Sequence, residues 1–175
     1  MSNRTWRWHF IEDLIKEHGW TKGAELGLWK GKTFLYILAT CPDVTMIGVD
    51  MWQIQDNPDD KQIGSESYKD WDHVEYETNV RKESHKYGDR AIIYKMSTDE
   101  AAELVEDGSL DFVFIDADHT YEGVKNDIKR WRPKVKPEGW ILGHDIDWNS
   151  VRQAVEEEFP DYIKGQNTCW GSQNG

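Results

Sequence analysis

Short apolar runs alternate with helix-like patterns along the chain. Five runs rich in β-branched and aromatic residues predict strands at residues 23–28, 44–50, 91–96, 110–116 and 139–144. The fourth, Asp111-Phe-Val-Phe-Ile115, is almost wholly apolar, which is typical of a central parallel strand covered on both faces.

Helix signals separate these runs. Apolar residues at helical spacing over 8–15 predict a helix before the first strand. Further signals are the capping-box patterns that begin at Ser97 and Ser150, the N-cap candidate Thr120 and the helix stop at Pro133. Strands and helices in alternation predict an α/β fold: a single Rossmann-like, doubly wound, mostly parallel sheet with helices on both faces.

The length predicts one domain over residues 1–175. Within it we expect an N-terminal helix or lid at 1–22 and short closing strands at 161–175. The segment 52–88 is polar and longer than one crossover helix, so we expect one helix at about 71–86 together with a loop.

Charge and cysteine content narrow the classes of partner. Lys and Arg number 21 against 33 Asp and Glu, a net charge of −12, which disfavours nucleic acid and anionic membranes. Two cysteines are too few for a disulfide framework, and no apolar run approaches a membrane span or a signal peptide. We therefore expect a cytoplasmic protein whose oligomeric state, a homo-oligomer included, is left open.

The turn after the first predicted strand carries glycines that let a ligand approach the backbone. Gly27 and Gly31 enclose three residues, one fewer than a phosphate-binding P-loop needs, and the Gly-x-Gly-x-x-Gly dinucleotide pattern is absent. The second strand ends at Asp50, about twenty residues beyond the turn, where a carboxylate can accept bonds from ribose hydroxyls.

The ends of the fourth and fifth strands carry acidic and histidine residues. Asp116 and His119 follow the fourth strand, and His144 and Asp145 follow the fifth. Neighbouring strand ends would bring them together, and carboxylates so placed repel unless a cation lies between them. A divalent ion would polarise an acceptor hydroxyl while a neutral histidine takes its proton. Oxygen ligands favour Mg²⁺, whereas a histidine ligand favours Mn²⁺, Fe²⁺ or Zn²⁺.

From about residue 23 to residue 159 the chain resembles the class I S-adenosylmethionine-dependent methyltransferases, through the turn Glu-x-Gly-x-x-x-Gly-x-Thr and the acidic end of the second strand. The resemblance implies S-adenosylmethionine as cofactor. It places the methionyl end on the glycine turn, the ribose at the acidic strand end and the adenine beside the loop after the third strand. The cofactor-binding residues it implies are Glu25, Gly27, Gly31, Asp50, Met51, Met96, Ser97 and Asp116.

The later motifs are similar to those of metal-dependent O-methyltransferases, especially the macrocin-type sugar enzymes. That resemblance implies His119 as general base with Asp116 as a catalytic partner, and a divalent metal such as Mg²⁺ on Asp116, His144 and Asp145. His144 stands where those families usually carry a carboxylate, so a site with metal and a site without it both stay open.

The resulting hypothesis is methyl transfer from S-adenosylmethionine to a hydroxyl of a small-molecule acceptor, with a sugar as the first expectation. Two alternatives stay open: a non-catalytic S-adenosylmethionine-binding regulatory or scaffold module, and an iron site built on His119, His144 and an aspartate. Three of the ten tryptophans, Trp29, Trp52 and Trp148, map near the ligand edge, where they would either contact ligand or pack.

Overall fold

The computed structural model describes residues 5–53 and 72–175. The strands are β1 (Lys22–Leu26), β2 (Thr45–Val49), β3 (Ala91–Tyr94), β4 (Leu110–Ile115), β5 (Val135–Gly143), β6 (Ile163–Lys164) and β7 (Trp170–Gln173). The helices are α1 (Arg7–His18), α2 (Lys32–Thr40), α3 (His73–Ser84), α4 (Thr98–Ala102), α5 (Tyr121–Trp131) and α6 (Asn149–Glu158).

All described strands form one sheet in the order β3-β2-β1-β4-β5-β7-β6. Strands β1 to β5 pair in parallel, and β7 pairs antiparallel with both β5 and β6. The chain runs outward from β1 to β3 on one side and from β4 to β5 on the other, so the strand order reverses between β1 and β4. Ligands of such sheets bind at the carboxyl ends beside this switch point. The predicted doubly wound α/β fold is confirmed.

Helices cover both faces of the sheet. On one face α1 and α2 pack on an apolar cluster that contains Phe112 and Phe114 of β4. On the other face α4, α5 and α6 pack on a cluster that contains Val113 and Ile115. Because successive residues of β4 serve opposite cores, the strand is apolar except for Asp111 and is buried along its whole length.

Helix and strand starts agree with most of the predicted signals. Ser97 and Glu100 form the capping box of α4, and the Thr120 hydroxyl caps α5. The closing segment contains β6 and β7, and α3 lies in the long crossover segment, whose residues 54–71 are outside the described ranges. None of the helices in the described ranges has the length and apolarity of a membrane span.

Two predicted elements begin elsewhere. Strand β5 starts at Val135 rather than at residue 139, because Pro137 and Gly139, which look like turn residues, lie inside a strand whose register with β4 is shifted. Helix α6 starts with Trp148 as its N-cap, and no side chain caps it. The Ser150 hydroxyl instead donates to the carbonyl oxygen of His119 at 2.6 Å, so Ser150 connects α6 to the loop after β4.

The opposite end of the sheet is joined by a buried carboxylate. Asp111 Oδ2 accepts hydrogen bonds from the backbone N–H groups of Thr21 and Lys22 at 2.7 and 2.8 Å. Asp111 Oδ1 accepts from Lys136 Nζ at 2.6 Å. Burial raises the pKa of Asp111, but these hydrogen bonds and the Lys136 charge outweigh burial and lower it. One side chain thus connects the starts of β1, β4 and β5.

We predict that Asp111→Ala lowers the free energy of unfolding by about 1–3 kcal/mol at neutral pH, because it leaves backbone donors without a partner. Since the folded-state pKa lies below the unfolded one, this contribution is present above about pH 4 and is lost as pH falls through the folded value. Urea denaturation of both proteins from pH 7 downward measures the difference.

The matched control is Asp107→Ala, which removes a carboxylate that is 71% exposed and paired with Lys134. An exposed pair contributes about 0–1 kcal/mol. Equal losses for the two variants, or a loss for Asp111→Ala that does not shrink in acid, would contradict the role given to Asp111.

Candidate active site

The carboxyl ends of β1 and β4 approach each other closely at Gly27. The Gly27 backbone has φ +85°, and a Cβ on it would lie 2.1 Å from the carbonyl oxygen of Asp116. Such a distance is well inside van der Waals contact, so only glycine fits here. Hydrogen bonds beyond the strand ends hold the approach, from Gly27 N to Val49 O at 2.9 Å and from Asp116 N to Leu26 O at 2.9 Å.

Asp50 shapes the glycine turn. Its Oδ2 accepts from the backbone N–H groups of Leu28 and Trp29 at 2.8 and 2.7 Å, and its Oδ1 accepts from Trp52 N at 2.6 Å. Burial raises the pKa of Asp50, and the three amide hydrogen bonds oppose that rise without cancelling it. A carboxylate has about four accepting positions, so Oδ1 keeps one for a ligand.

A cleft of about 270 Å³ opens beside this turn. Its walls include several residues that the sequence predicts as cofactor-binding, namely Gly27, Asp50, Met51, Met96 and Ser97. Gly31 lies elsewhere: with φ +67° it forms the N-cap of α2, and a Cβ on it would lie 2.6 Å from Val80 Cγ2 of α3. The structure therefore shows packing at Gly31, and its cofactor role stays a prediction.

Asp127 of α5 also lines the cleft, and the sequence analysis missed it. Its side chain is buried, and Oδ1 accepts from the Thr98 hydroxyl at 2.6 Å. Burial, supported by the charges of Asp118 and Asp99, raises the pKa of Asp127 to about 7. An aspartate in the middle of an amphipathic helix gives no sequence signal that distinguishes it from a solvent-exposed one.

Glu25 and Arg7 lie on the far side of the glycine turn. Glu25 is 2% exposed, and its Oε2 has no hydrogen-bond partner in the described part of the chain. Burial raises the pKa of Glu25, the Arg7 charge opposes the rise, and Asp116 and Asp50 add to it. Arg7 Nη1 lies 3.1 Å from Asp116 Oδ2, and Arg7 Nε donates to Thr33 Oγ1 at 3.0 Å.

The four predicted residues after β4 and β5 meet in one cluster. His119 Nε2 lies 3.0 Å from Asp145 Oδ2 and 3.6 Å from Asp116 Oδ1. His144 Nδ1 lies 3.1 Å from Asp145 Oδ1 and 3.6 Å from Asp116 Oδ1. We call these four residues the acid–histidine cluster.

The orientation of the His144 ring fits a cation-binding role. Nε2 lies 3.3 Å from Asn167 Oδ1 and 3.2 Å from Thr168 Oγ1, which directs Nδ1 toward the two carboxylates. Nδ1 is buried, and its carboxylate neighbours are Asp145 Oδ1 at 3.1 Å and Asp116 Oδ1 at 3.6 Å. One ligand atom each from Asp116, His144 and Asp145 lie within 4.8 Å of one another. A buried ring nitrogen that faces two carboxylates, at this spacing, matches the ligand set of a divalent metal.

Protonation of the cluster follows from its charges. Burial lowers the pKa of His119, but Asp116 and Asp145 outweigh burial through hydrogen bonding and charge and raise it to about 10. The same two carboxylates raise the pKa of His144 against its burial. Burial in turn raises the pKa of Asp145, and the two histidines lower it far below its ordinary value. The two carboxylates therefore favour the imidazolium form of His119.

Helix α6 holds His119 at the mouth of the site. The Ser150 hydroxyl binds the His119 carbonyl oxygen, and the Trp148 ring lies 4.5 Å from the imidazole between ring centroids. Trp52 is 4% exposed and donates from Nε1 to the Trp29 carbonyl oxygen at 2.9 Å, so it packs beneath the turn. Of the three tryptophans predicted near the ligand edge, Trp148 lies beside the acid–histidine cluster.

Comparison with known proteins identifies the family of the chain and the fold that it shares with solved structures. The family model for the methyltransferase domain matches residues 24–146. Among curated proteins, 48 residues are 40% identical to the uncharacterized protein y4gI of Sinorhizobium fredii. That match takes in 27% of this chain and 5% of the relative, so the chain spans only a small part of that protein.

Several solved structures share the fold at low identity. A methyltransferase from Podospora anserina bound to S-adenosylhomocysteine has a TM-score of 0.66 at 14% identity, with 95% of this chain and 77% of that one covered. The O-methyltransferase TomG of Streptomyces achromogenes, involved in tomaymycin synthesis and complexed with S-adenosylmethionine, has a TM-score of 0.65 at 11% identity over 94% of this chain and 78% of its own.

An O-methyltransferase from Bacillus cereus in complex with S-adenosylhomocysteine has a TM-score of 0.62 at 13% identity, covering 93% of this chain and 77% of its own. At such identities the similarity lies in the fold. The family model, which matches most of the chain, goes further. It confirms the family that the motifs predict: this chain belongs to the methyltransferase domain family and has the class I methyltransferase fold.

Proposed function

We propose that the protein transfers the methyl group of S-adenosylmethionine to a hydroxyl of a small molecule. The observation that carries the proposal is that consecutive residues, 116–118, belong to the acid–histidine cluster and to the wall of the cleft. Asp116 belongs to that cluster, its carbonyl oxygen abuts Gly27, and the next residues, Ala117 and Asp118, line the cleft. A nucleoside in the cleft therefore places its 5′ substituent beside His119.

The cofactor's parts match the chemistry of the walls. Met96 and Ser97 would border the adenine, while the free accepting position of Asp50 Oδ1 would take a ribose hydroxyl. Glu25 Oε2, buried and unpaired, would accept from the α-ammonium group beyond the glycine turn. This orientation directs the sulfonium methyl toward the acid–histidine cluster.

Asp116, His144 and Asp145 would hold a divalent cation, with His144 contributing Nδ1. When bound, such a cation polarises an acceptor hydroxyl and offsets the charge of the carboxylates. Asn167 and Thr168 hold the far side of the imidazole and so fix its orientation. The mixed nitrogen and oxygen set favours Mn²⁺, Fe²⁺ or Zn²⁺ more than an all-oxygen set would.

His119 would act as the general base. Its Nε2 is buried against Asp145 and Asp116, next to the cleft residues Ala117 and Asp118 along the chain, and the Ser150 hydrogen bond fixes its backbone. As the acceptor oxygen attacks the methyl carbon in line with the departing sulfur, Nε2 takes the hydroxyl proton and the sulfur leaves as a neutral thioether. Asp116 and Asp145 stabilise the imidazolium that results.

The acceptor would enter past Trp148. This indole lies over His119 and is partly exposed, so a sugar or another ring could stack on it while presenting a hydroxyl to the base. The acidity of the chain argues against a nucleic-acid acceptor, and its two cysteines suit a cytoplasmic location. A sugar hydroxyl is the acceptor that we propose to test first.

Cofactor binding is tested by thermal shift with S-adenosylmethionine, S-adenosylhomocysteine, NAD and ATP. We predict a melting temperature that rises with the concentration of either adenosyl ligand, since binding to the folded state stabilises it. Asp50→Ala should reduce the shift strongly, because it loosens the glycine turn and removes the ribose acceptor. Asp43→Ala, an exposed aspartate near β2, is the control and should leave the shift unchanged. A shift with NAD or ATP alone would overturn the proposal.

The general base is tested by methyl transfer to a panel of sugars and other hydroxylated acceptors. His119→Ala should lower kcat by about 10²–10⁴-fold, the usual contribution of a general base. Because the carboxylates raise the pKa of His119, its base form increases with pH, and the wild-type rate should rise between pH 7 and about pH 9. The variant should lack this rise, whereas His85→Ala, an exposed helical histidine, should retain it. Full turnover by His119→Ala would show that His119 is not the general base.

The metal site is tested by electron paramagnetic resonance of added Mn²⁺. Asp145 has φ +55°, so Asp145→Gly removes a ligand while suiting the backbone. We expect saturable Mn²⁺ binding by the wild type and at least about tenfold weaker binding by the variant. Asp147→Gly, an exposed neighbour, serves as the control. Equal Mn²⁺ binding by wild type and Asp145→Gly would show that these residues do not form the site.

A further inference from the structure

Arg7, the first residue of α1, reaches from one face of the sheet into the site. Its Nε donates to Thr33 Oγ1 at 3.0 Å in the first turn of α2, and its Nη1 lies 3.1 Å from Asp116 Oδ2. The side chain is 20% exposed. A partly buried guanidinium so placed adds a positive charge beside Asp116 and the start of α2.

Most of the donors of Arg7 are still available. A guanidinium carries five N–H groups in a planar fork, and the two contacts above use one each. Within residues 5–53 and 72–175, these two contacts are the hydrogen bond and the ion pair of Arg7. The Arg7 charge acts on Glu25, whose buried Oε2 has no hydrogen-bond donor in the described part of the chain. Arg7 thus offers donors and positive charge, and the buried Glu25 offers an acceptor.

The start of α2 adds further donors at the same place. Gly31 is its N-cap and supplies no side-chain hydrogen bond to the first turn, so backbone N–H groups of that turn have no side-chain acceptor. Helix starts favour anions. Thr33, which accepts the hydrogen bond from Arg7, lies in this turn. An anion held by Arg7 and α2, next to a cation held by Glu25, is the pattern that an amino-acid zwitterion requires.

We propose that Arg7 binds the α-carboxylate of the methionyl half of the cofactor. The inference rests on the proposed function, because it assumes an S-adenosyl ligand in the cleft. The α-carboxylate would accept from the spare Nη donors of Arg7 and from the start of α2, while Asp116 holds the guanidinium in place through its Oδ2. Arg7 is then a cofactor-positioning residue that sets how far the sulfonium extends toward His119.

The experiment compares two ligands that differ in one carboxylate. Isothermal titration calorimetry measures the Kd of S-adenosylhomocysteine and of its decarboxylated analogue, which keeps the adenosine, the sulfur and the amine. Wild type, Arg7→Met, Arg7→Lys and the control Arg130→Met are titrated with both. Arg130 is a matched surface arginine, paired with Glu103 on the outer face of α5.

We expect the wild type to bind S-adenosylhomocysteine at least about tenfold more tightly than the analogue, as a charge-assisted hydrogen bond implies. Arg7→Met should abolish this preference while leaving the Kd of the analogue nearly unchanged. Arg7→Lys should recover part of the preference through its charge, and Arg130→Met should match the wild type.

If Arg7 only joined α1 to Asp116, Arg7→Met would weaken the binding of both ligands equally. A preference for S-adenosylhomocysteine that persists in Arg7→Met therefore overturns the inference. A wild type that shows no preference also overturns it. If Arg7→Met fails to fold, Arg7→Lys decides in its place, since a preference identical to that of the wild type would contradict bidentate carboxylate binding. Failure of the wild type to bind either ligand would instead refute the proposed function itself.

Discussion

The site depends on the close approach of β1 and β4 where the strand order reverses. Gly27 lies against the carbonyl of Asp116 at a distance that excludes any Cβ, so the chain after β1 turns sharply. The turn exposes a cleft on one side and places the acid–histidine cluster on the other. Asp50 holds the turn open through the N–H groups of Leu28 and Trp29. A longer contact at Gly27 would separate the cofactor cleft from the proposed catalytic groups.

Three carboxylates at this edge have their own means of charge compensation. Asp50 is solvated by backbone amides, Asp116 by Arg7, and Asp145 by two histidines. Glu25 is the exception, because its Oε2 is buried without a donor. Compensation by neutral or cationic neighbours lets a protein of net charge −12 gather acids in one place without self-repulsion. Glu25, whose Oε2 has no donor among the described residues, is the group that a cationic ligand would stabilise most.

The sequence predicted those parts of the structure that depend on local pattern or on strand order. Parallel strand ends meet at one edge, so the convergence of Asp116, His144 and Asp145 follows from strand order alone. The start of β5 was missed because Pro137 and Gly139 resemble turn residues, and only pairing with β4 shows that they lie in a strand. At these two positions the pairing with β4 outweighs the local preference of proline and glycine for turns.

Long-range contacts account for the features that the sequence did not predict. Arg7 reaches Asp116 across more than a hundred positions in the chain, and nothing near Arg7 distinguishes it from a surface arginine. Ser150 has the pattern of a capping residue but binds the His119 carbonyl oxygen, because α6 packs against the loop after β4. Gly31 looks like a ligand-binding glycine, and its closest neighbour is Val80. Such contacts depend on how helices pack on the sheet, which residue pattern alone does not encode.

The most direct test of this account is a crystal structure of the protein with S-adenosylhomocysteine. The account predicts adenine between Met96 and Asp127, the ribose at Asp50 and the sulfur facing His119 across Gly27. Adenine elsewhere, or a sulfur turned away from the acid–histidine cluster, would contradict the claim that one sheet edge both binds the cofactor and carries the chemistry.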